Sequence, residues 1–209
     1  LDVTINTSAA SGSAEYNVTT YNTDSAGPST SFEISGTSTV DSGNKTDGVL
    51  SVGSDGEYDT IQTAIDNASS GTTIVVEDGI YEPVTINTDN LTIIGGDSVT
   101  VEGSGNGLLV AANDTTIEGT SITDFNNGIK TTENIRNLHL KDVKINNSSN
   151  GLQVSAAGSI QGLKIINSTF SRNNFGVYFA HPQPDDGNVT DVLLKGTKFN
   201  NPFNPEDSV

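Results

Sequence analysis

"VGSDGEYDTIQTAIDNASSGTTIVVEDGIYEPVTI", residues 52–86, is the stretch of sequence that decides the fold. Its segment "YDTIQTAIDNAS" predicts a helix at about residues 59–69, which Asp59 or Thr60 can cap. The apolar residues of this segment recur at helical spacing on one face: Ile61, Ala64, Ile65 and Ala68. After "SSGTT" ends the helix, "TIVVEDGIYEPVTI" begins a series of short strands that continues to the end of the chain.

The strand-forming part of the chain repeats itself at intervals of about 23 to 29 residues. The first column of equivalent apolar positions is Ile94, Ile117, Leu140, Ile165 and Leu194. The second column is Ile122, Ile145, Phe170 and Phe199. A third column, in which each residue precedes a short apolar strand, is Gly107, Gly128, Gly151 and Gly176. One repeat cannot bury its apolar face alone, so this period predicts an all-β solenoid of stacked turns with about three strand segments each.

Asparagines recur near the end of each repeat. Asn127, Asn150 and Asn204 lie five places after the second-column residue, and Asn174 lies four places after its own. Asparagine tolerates the left-handed backbone conformation, and its amide can pair with the next turn, so we interpret these positions as structural ladders at turns. The last interval is longer because "AHPQPDDGN" is inserted, and we expect this segment to form a loop outside the stack.

The helix followed by "GTTIVVEDGIYEPVTI" and "NLTIIG" resembles the opening of the pectin lyase-like superfamily of right-handed parallel β-helices. The resemblance covers about residues 51–209 and implies such a β-helix with an N-terminal capping helix, whose turns run over about residues 72–209. In character the chain is most similar to the non-enzymatic surface β-helix proteins of archaea and bacteria. The fold hosts many unrelated activities, so the resemblance specifies architecture more than function.

The sequence lacks the catalytic motifs of this superfamily. Similar pectate lyases use an arginine base with calcium held by aspartates, polygalacturonase-like enzymes use Gly-His-Gly and Arg-Ile-Lys motifs, and pectinesterase-like enzymes use two aspartates beside an arginine. The chain has no Trp and no Gly-His-Gly, and neither of its two arginines, Arg136 and Arg172, lies in such a motif. "NTD" at residues 87–89 has the same residues as a polygalacturonase motif. It lies directly before "NLTIIG", where a connector is expected, so we do not interpret it as catalytic. We therefore predict no catalytic residues.

Two acidic segments and one histidine are weaker candidates for a metal site or for catalysis. Asp185 and Asp186 lie beside His181 in the inserted loop, and Asp55, Glu57 and Asp59 form a short acidic run. Hard cations favour such oxygens, so calcium is the one cofactor considered, although neither segment has the spacing of a known calcium loop. His139 is expected to point outward from its strand, aligned with Thr116, Lys164 and Leu193. We interpret it as a solvent-exposed residue.

Residues 1–50 differ from the rest and predict a short β-rich extension. "DVTIN", "EYNVTTY" and "SFEIS" alternate like strands, and they could pack on the main body or pair with a neighbouring subunit. The chain contains neither Met nor Cys, so we expect a removed leader and exclude disulfides. No apolar run approaches the roughly 18 residues of a membrane span.

Composition favours an exported glycoprotein. Ten positions begin an Asn-X-Ser/Thr sequon. They are Asn6, Asn17, Asn44, Asn67, Asn90, Asn113, Asn146, Asn147, Asn167 and Asn188. The net charge of −17 disfavours nucleic acid and anionic membranes as partners. Residues 1–129 carry 19 acidic groups and one basic group, and residues 130–209 carry seven acidic and eight basic groups. The N-terminal end of a solenoid would therefore be acidic and the C-terminal end nearly neutral.

Three functions follow from these patterns. The first hypothesis is a non-catalytic, extracellular subunit of a filament, sheath or surface layer that packs head to tail with copies of itself. Unlike charged ends, an apparently unfinished last turn with Phe199 and Phe203 as assembly candidates, and the extra N-terminal strands favour it. The alternatives are a carbohydrate-binding or adhesin module, for which Tyr178 and Phe179 give one outward aromatic ring, and a polysaccharide lyase or hydrolase.

Overall fold

A computed structural model describes residues 12–19, 33–40, 48–132, 134–155, 158–180 and 189–200 of the chain. The chain divides into two units, Leu1–Asn44 and Lys45–Val209. The boundary between them lies a few residues before the one predicted from the sequence, which was between residues 50 and 51. In the first unit, strands β1 (Gly12–Thr19) and β2 (Glu33–Val40) pair antiparallel. These strands overlap two of the three predicted from residues 1–50, and the third, "DVTIN", lies outside the described residues.

The second unit contains one helix and a long series of short strands. The helix α1 (Ile61–Asn67) follows the first of these strands, β3 (Val49–Val52). The strands of the first turns after it are β4 (Thr73–Val76), β5 (Gly79–Tyr81), β6 (Val84–Ile86), β7 (Thr92–Glu102), β8 (Asn106–Val110), β9 (Thr116–Thr123) and β10 (Asn127–Thr131). The strands of the later turns are β11 (Ile135–Arg136), β12 (His139–Lys141), β13 (Lys144–Asn146), β14 (Asn150–Val154), β15 (Ile160–Gln161), β16 (Lys164–Ile166), β17 (Thr169–Ser171), β18 (Phe175–Phe179), β19 (Val189–Thr190), β20 (Leu193–Lys195) and β21 (Lys198–Asn200).

Every strand of the second unit pairs in parallel with the equivalent strand of the next turn, which produces three lateral faces. Face 1 contains β3, β4, the first parts of β7 and β9, β12, β16 and β20. Face 2 contains β5, the second parts of β7 and β9, β13, β17 and β21. Face 3 contains β6, β8, β10, β14 and β18. A short additional ladder, β11–β15–β19, lies between faces 3 and 1. The predicted right-handed parallel β-helix is therefore confirmed.

The predicted apolar columns form the core, with one correction. Ile117, Leu140 and Ile165 stack on one another and are fully buried. Their partner in the preceding turn is Ile93, whereas Ile94 pairs with Glu118 and is partly exposed, so placing Ile94 in this column was wrong. Two isoleucines in succession made the register ambiguous by one residue, and a shift of one residue moves a strand side chain to the other face of the sheet.

The second column and the glycine column are confirmed, and the structure explains why they occur together. Phe170 is fully buried and stacks on Phe199, with ring centroids 5.1 Å apart. A Cβ atom added to Gly151 would lie 2.5 Å from Cδ1 of Phe170. Equivalent close approaches occur between Gly128 and Ile145 and between Gly176 and Phe199. Each glycine of face 3 therefore leaves the space that a large second-column side chain of face 2 fills.

A residue with positive φ marks the corners between faces. Before face 1 this column is Asn90, Asp114, Asn137, Gly162 and Asp191. Between faces 1 and 2 it is Gly119, Asp142, Asn167 and Gly196. Between faces 2 and 3 it includes Asp124, Asn147 and Arg172. The left-handed corners are thus mostly asparagine and aspartate, as the physical preference requires, but they are not the asparagines predicted from the sequence. The described ones, Asn127, Asn150 and Asn174, do not have positive φ.

The predicted capping helix covers the first turn. Thr60 is its N-cap and accepts a hydrogen bond from the backbone N–H of Thr63. Ile61, Ala64 and Ile65 are buried against the core. The Gln62 side chain accepts a hydrogen bond from the Thr85 N–H at 2.8 Å and donates one to the Thr85 carbonyl at 3.2 Å. This helix therefore also satisfies backbone groups of β6, the first strand of face 3.

The other end of the stack is less covered within the described residues. Leu194 and Phe199 occupy inward columns of the last described turn and are 49% and 45% exposed. The predicted inserted loop is residues 180–188 and the predicted unfinished turn is residues 199–209. Residues 181–188 and 201–209 of these segments lie outside the described residues. Within the described part of the chain, no helix has the length and apolarity that a bilayer crossing requires.

Candidate functional site

The outward surface of face 3 is organised by a ladder of asparagine side chains. The Asn127 amide donates to Oδ1 of Asn106 at 2.8 Å, and the Asn150 amide donates to Oδ1 of Asn127 at 2.8 Å. This confirms a structural ladder at two of the predicted positions and adds Asn106 to it. Each amide uses one donor and one acceptor along the stack, so the ladder continues only while asparagine recurs at the same place.

Phe175 interrupts this ladder. It pairs with Asn150 in the strand register and therefore occupies the place where the next asparagine would lie, while Asn174 is displaced by one residue into the preceding corner. The Phe175 ring lies 5.2 Å from the Tyr178 ring at an interplanar angle of 35°. Phe175 is 55% exposed and Tyr178 is 38% exposed. We call these two side chains the aromatic pair.

Polar groups adjoin the aromatic pair on the turns below it. Gln153 lies directly beneath Tyr178, and Lys130 lies beneath Gln153. Because the ladder ends at Asn150, its Oδ1 atom receives no hydrogen bond from any described residue. The aromatic pair together with Asn150, Gln153 and Lys130 forms the face-3 strip, which spans three adjacent strands of this face, or about 10 Å.

A polar recess lies at the corner just before this strip. It has a volume of about 350 Å³ and is lined by residues that include Asp124, Asn147, Arg172 and Asn174. Arg172 has a φ of 54° at a position where the turns below have Asp124 and Asn147. A long side chain in the left-handed region is uncommon and costs free energy, of the order of 1 kcal/mol. Asn174 directly precedes Phe175, so this recess and the aromatic pair are neighbours on the same turn.

The structure places the described sequon asparagines as follows. Asn90 and Asn167 are exposed residues at left-handed corners. Asn67 and Asn147 use their amides in hydrogen bonds to Thr63 O and to Asp124, and Asn146 lies within hydrogen-bonding distance of Thr123. The Asn113 Oδ1 accepts the Arg136 N–H. Asn17 lies in β1, and Asn6, Asn44 and Asn188 lie outside the described residues.

The predicted metal and assembly residues do not converge on a site among the described residues. Asp55, Glu57 and Asp59 are exposed, and no group of three or more His, Cys, Asp or Glu side chains suited to a metal ion occurs in the described ranges. Asp185, Asp186, His181 and Phe203 lie outside them. Phe199 packs on Phe170 as a member of the second column.

Sequence analysis missed Phe175 although a signal was present. Aligning "NNFGVYF" with "FNNGIKT" and "SSNGLQV" on their glycines puts Phe175 over Asn127 and Asn150. The prediction considered Tyr178 and Phe179 alone and expected one outward ring. Tyr178 does face outward, and Phe179 pairs with the inward Val154, but the second outward ring comes from Phe175.

Comparison with protein-family models gave no match, and comparison with curated proteins gave none. Among solved structures the chain is similar to the pectin methylesterase from Aspergillus niger in two deglycosylated forms. The first has 13% sequence identity and a TM-score of 0.41, and the match covers 78% of this chain and 86% of that chain. The second has 14% identity and a TM-score of 0.41, with 74% and 78% covered. At this identity the likeness concerns the fold alone.

The first functional hypothesis, a self-assembling structural protein, is withdrawn as a correction. The similar solved structures are of an enzyme, and none of the comparisons gives a filament, sheath or surface-layer subunit. That hypothesis relied on an open last turn, but exposed inward residues at one end of a solenoid do not specify which protein or segment covers them. The strand register shows that the chain folds as a parallel β-helix.

Proposed function

We propose that the protein is a secreted carbohydrate-binding protein that holds a polysaccharide along the face-3 strip. The observation that carries the proposal is the aromatic pair, in which Phe175 replaces the next asparagine of the ladder and lies against the exposed ring of Tyr178. A sugar ring has one apolar face of C–H groups, and placing that face on Phe175 and Tyr178 removes apolar surface of both partners from water.

The polar neighbours of the aromatic pair suit the hydroxyl groups at the edge of a sugar ring. Asn150 Oδ1 can accept a hydrogen bond from a hydroxyl, since no described residue uses that atom. The Gln153 amide lies on the same turn and offers a donor and an acceptor. Hydroxyls that lose water on binding need such partners, because an unpaired buried polar group costs about 1–3 kcal/mol.

The shape of the strip favours a chain over a free monosaccharide. Asn150 and Gln153 lie one strand spacing from the pair, and Lys130 lies a further spacing along face 3. A flat strip of this kind contacts successive residues of an extended polymer, whereas a single sugar residue would cover only the aromatic pair.

The test uses a variant that the chain itself suggests. Phe175→Asn restores the residue type of the three turns below and should extend the ladder, so it removes a ring without opening a cavity. Polysaccharides and oligosaccharides that bind the full chain on a glycan array are measured by calorimetry against this variant and Tyr178→Gln. We expect each substitution to weaken binding by roughly tenfold or more, with the thermal midpoint unchanged.

The matched control is Ile80→Thr, which removes a 73% exposed apolar side chain from face 2. This variant should bind as the unsubstituted chain does. Absence of any glycan ligand on the array, or equal affinity of Phe175→Asn and the unsubstituted chain, would show that the aromatic pair is not a carbohydrate site.

A further inference from the structure

A second recess lies on a different face from the aromatic pair, at the corner that precedes face 1. It has a volume of about 360 Å³ and is lined by Asn90, Asp114, Thr116, Asn137, His139 and Lys164. Thr116, His139 and Lys164 are successive members of one outward column, as the sequence predicted. The remaining three are exposed residues of the corner. We call this recess the His139 pocket.

His139 differs from the solvent-exposed residue that the sequence predicted. Its ring is partly buried, and the Nε2 atom is buried without a hydrogen-bond partner among the described residues. An imidazole nitrogen left in this state loses its hydration without compensation. Two other lining residues are already hydrogen-bonded to each other, because the Asn137 amide donates to Oδ1 of Asp114 at 2.7 Å. A ligand hydroxyl that reaches Nε2 would therefore satisfy the one buried side-chain nitrogen or oxygen atom that lacks a partner among the described residues.

The charged groups around the pocket indicate which net charge such a ligand has. Desolvation by burial is the main cause that lowers the pKa of His139, and the ammonium group of Lys164 lowers it further. A metal cation at Nε2 would meet the same positive charge. Asp114 acts on His139 in the opposite direction and would oppose an anion. With one carboxylate and one ammonium group facing the ring, the pocket favours a neutral ligand over either ion.

A neutral ligand must then offer several donors and acceptors in a small space. Asp114 and the neutral imidazole can accept, while Lys164 can donate and the Thr116 hydroxyl can do either. Vicinal hydroxyls of a sugar residue match such a set, because each hydroxyl both donates and accepts. The volume lies at the lower end of the range of small-molecule pockets, which suits one sugar residue.

We infer that the His139 pocket is a second binding site, for a single neutral sugar residue with vicinal hydroxyls. The site differs from the proposed function in ligand and in place, because it is a recess on face 1 that takes one residue or a chain end, whereas the face-3 strip takes a polymer. With both sites occupied, one molecule holds two glycan segments on different faces of the same β-helix.

The test follows the pocket by two-dimensional NMR on the full chain. Methyl glycosides of neutral hexoses are titrated, and signals of the His139 ring and of the Thr116 and Asn137 amides are recorded. We expect saturable shifts at these signals with at least one glycoside. Thr116→Val, which keeps the shape and removes the hydroxyl, should weaken that binding by about tenfold. His139→Gln should weaken it similarly, while Lys198→Gln on face 2 should not change it.

Other outcomes overturn the inference. Saturation with inorganic phosphate but with none of the neutral glycosides would identify an anion site, and saturation with neither would identify a water-filled recess. Phe175→Asn separates this inference from the proposed function. Pocket shifts that persist in this variant support an independent site whether or not the face-3 strip binds glycans, whereas shifts that vanish with Phe175 would rule out a separate site.

Discussion

At the scale of single residues, position in the stack decides what a side chain can do. Phe175 and Asn150 occupy equivalent places on successive turns, yet one ends a ladder and the other belongs to it. His139 lies between Thr116 and Lys164, so its ring is flanked on both sides along the column. A residue that looks isolated in the sequence thus acquires a fixed set of neighbours about 4.8 Å away on the adjoining turns.

His139 gives a prediction for pH dependence. Desolvation and Lys164 lower its pKa below the ordinary 6.5, and Asp114 only partly offsets this. The unfolded chain therefore binds more protons than the folded chain between the lowered pKa and about 6.5. We expect the stability that depends on neutral His139 to be fully present above that window, and to be lost as the pH falls through it.

The measurement compares urea unfolding of the full chain and of His139→Gln at pH 7.5 and at pH 5.5, alongside an NMR titration of the ring. The unsubstituted chain should lose more stability on acidification than the variant. A ring that titrates at or above the ordinary value would contradict the assignment of its buried environment.

At the scale of elements, faces 2 and 3 depend on each other through the glycine column. Strand β14 can pass close to the core because Gly151 has no Cβ where the Phe170 ring lies. Glycine in a strand ordinarily weakens the strand, so its recurrence on four successive turns has a packing reason. The column of isoleucines and phenylalanines is the other half of the same contact.

Gly151→Ala tests this dependence. The added methyl group would lie 2.5 Å from both Cδ1 of Phe170 and the carbonyl oxygen of Gly176, so β14 or its neighbours must shift. We expect a loss of roughly 1–3 kcal/mol in the free energy of unfolding, measured by urea denaturation. Gln153→Ala, on the outward side of the same strand, should cost less than about 0.5 kcal/mol. Equal effects of the two substitutions would show that the space beside Gly151 is not limiting.

At the scale of the whole molecule, the chain carries a net charge of −17, and most of the positive charge lies on the later turns. Within the described residues, the ion pair between Lys141 and Glu118 is an exposed contact between adjacent turns. Exposed pairs of this kind contribute little to stability. Repulsion among the carboxylates therefore opposes the compact state.

Screening should relieve this repulsion. We expect the thermal midpoint of the full chain to rise by a few degrees between about 0.02 M and 0.3 M salt, because the screening length falls to about 10 Å or less over this range. Scanning calorimetry in sodium chloride and in tetramethylammonium chloride should give the same rise. An increase that requires one particular cation would instead indicate specific binding, and a midpoint that falls with salt would contradict the repulsion argument.

Much of the fold was predictable because residues that stack on one another in a β-helix recur at nearly constant intervals in the sequence. Spacing alone identified the second apolar column and the glycine column, since both consist of equivalent residues on successive turns. Helical periodicity identified α1, since its buried residues lie on one face of the helix. The register at Ile93 and Ile94 was not predictable in this way, because either isoleucine satisfies the apolar pattern and only strand pairing distinguishes them. The residues at the left-handed corners were predicted wrongly for a similar reason, because asparagine is frequent both at corners and in ladders.

The sequence by itself determined the stacked parallel strands, the capped first turn and the charge of this protein, because those properties depend on local periodicity and composition. Only the tertiary structure decided that Phe175 and Tyr178 form one exposed pair, and that the Nε2 atom of His139 is buried beside Lys164 and Asp114. These groupings depend on which residues of different turns and corners share a surface. That arrangement is set by the exact strand register and by the angle of each corner. The spacing of the repeats in the sequence specifies neither the register nor the angles.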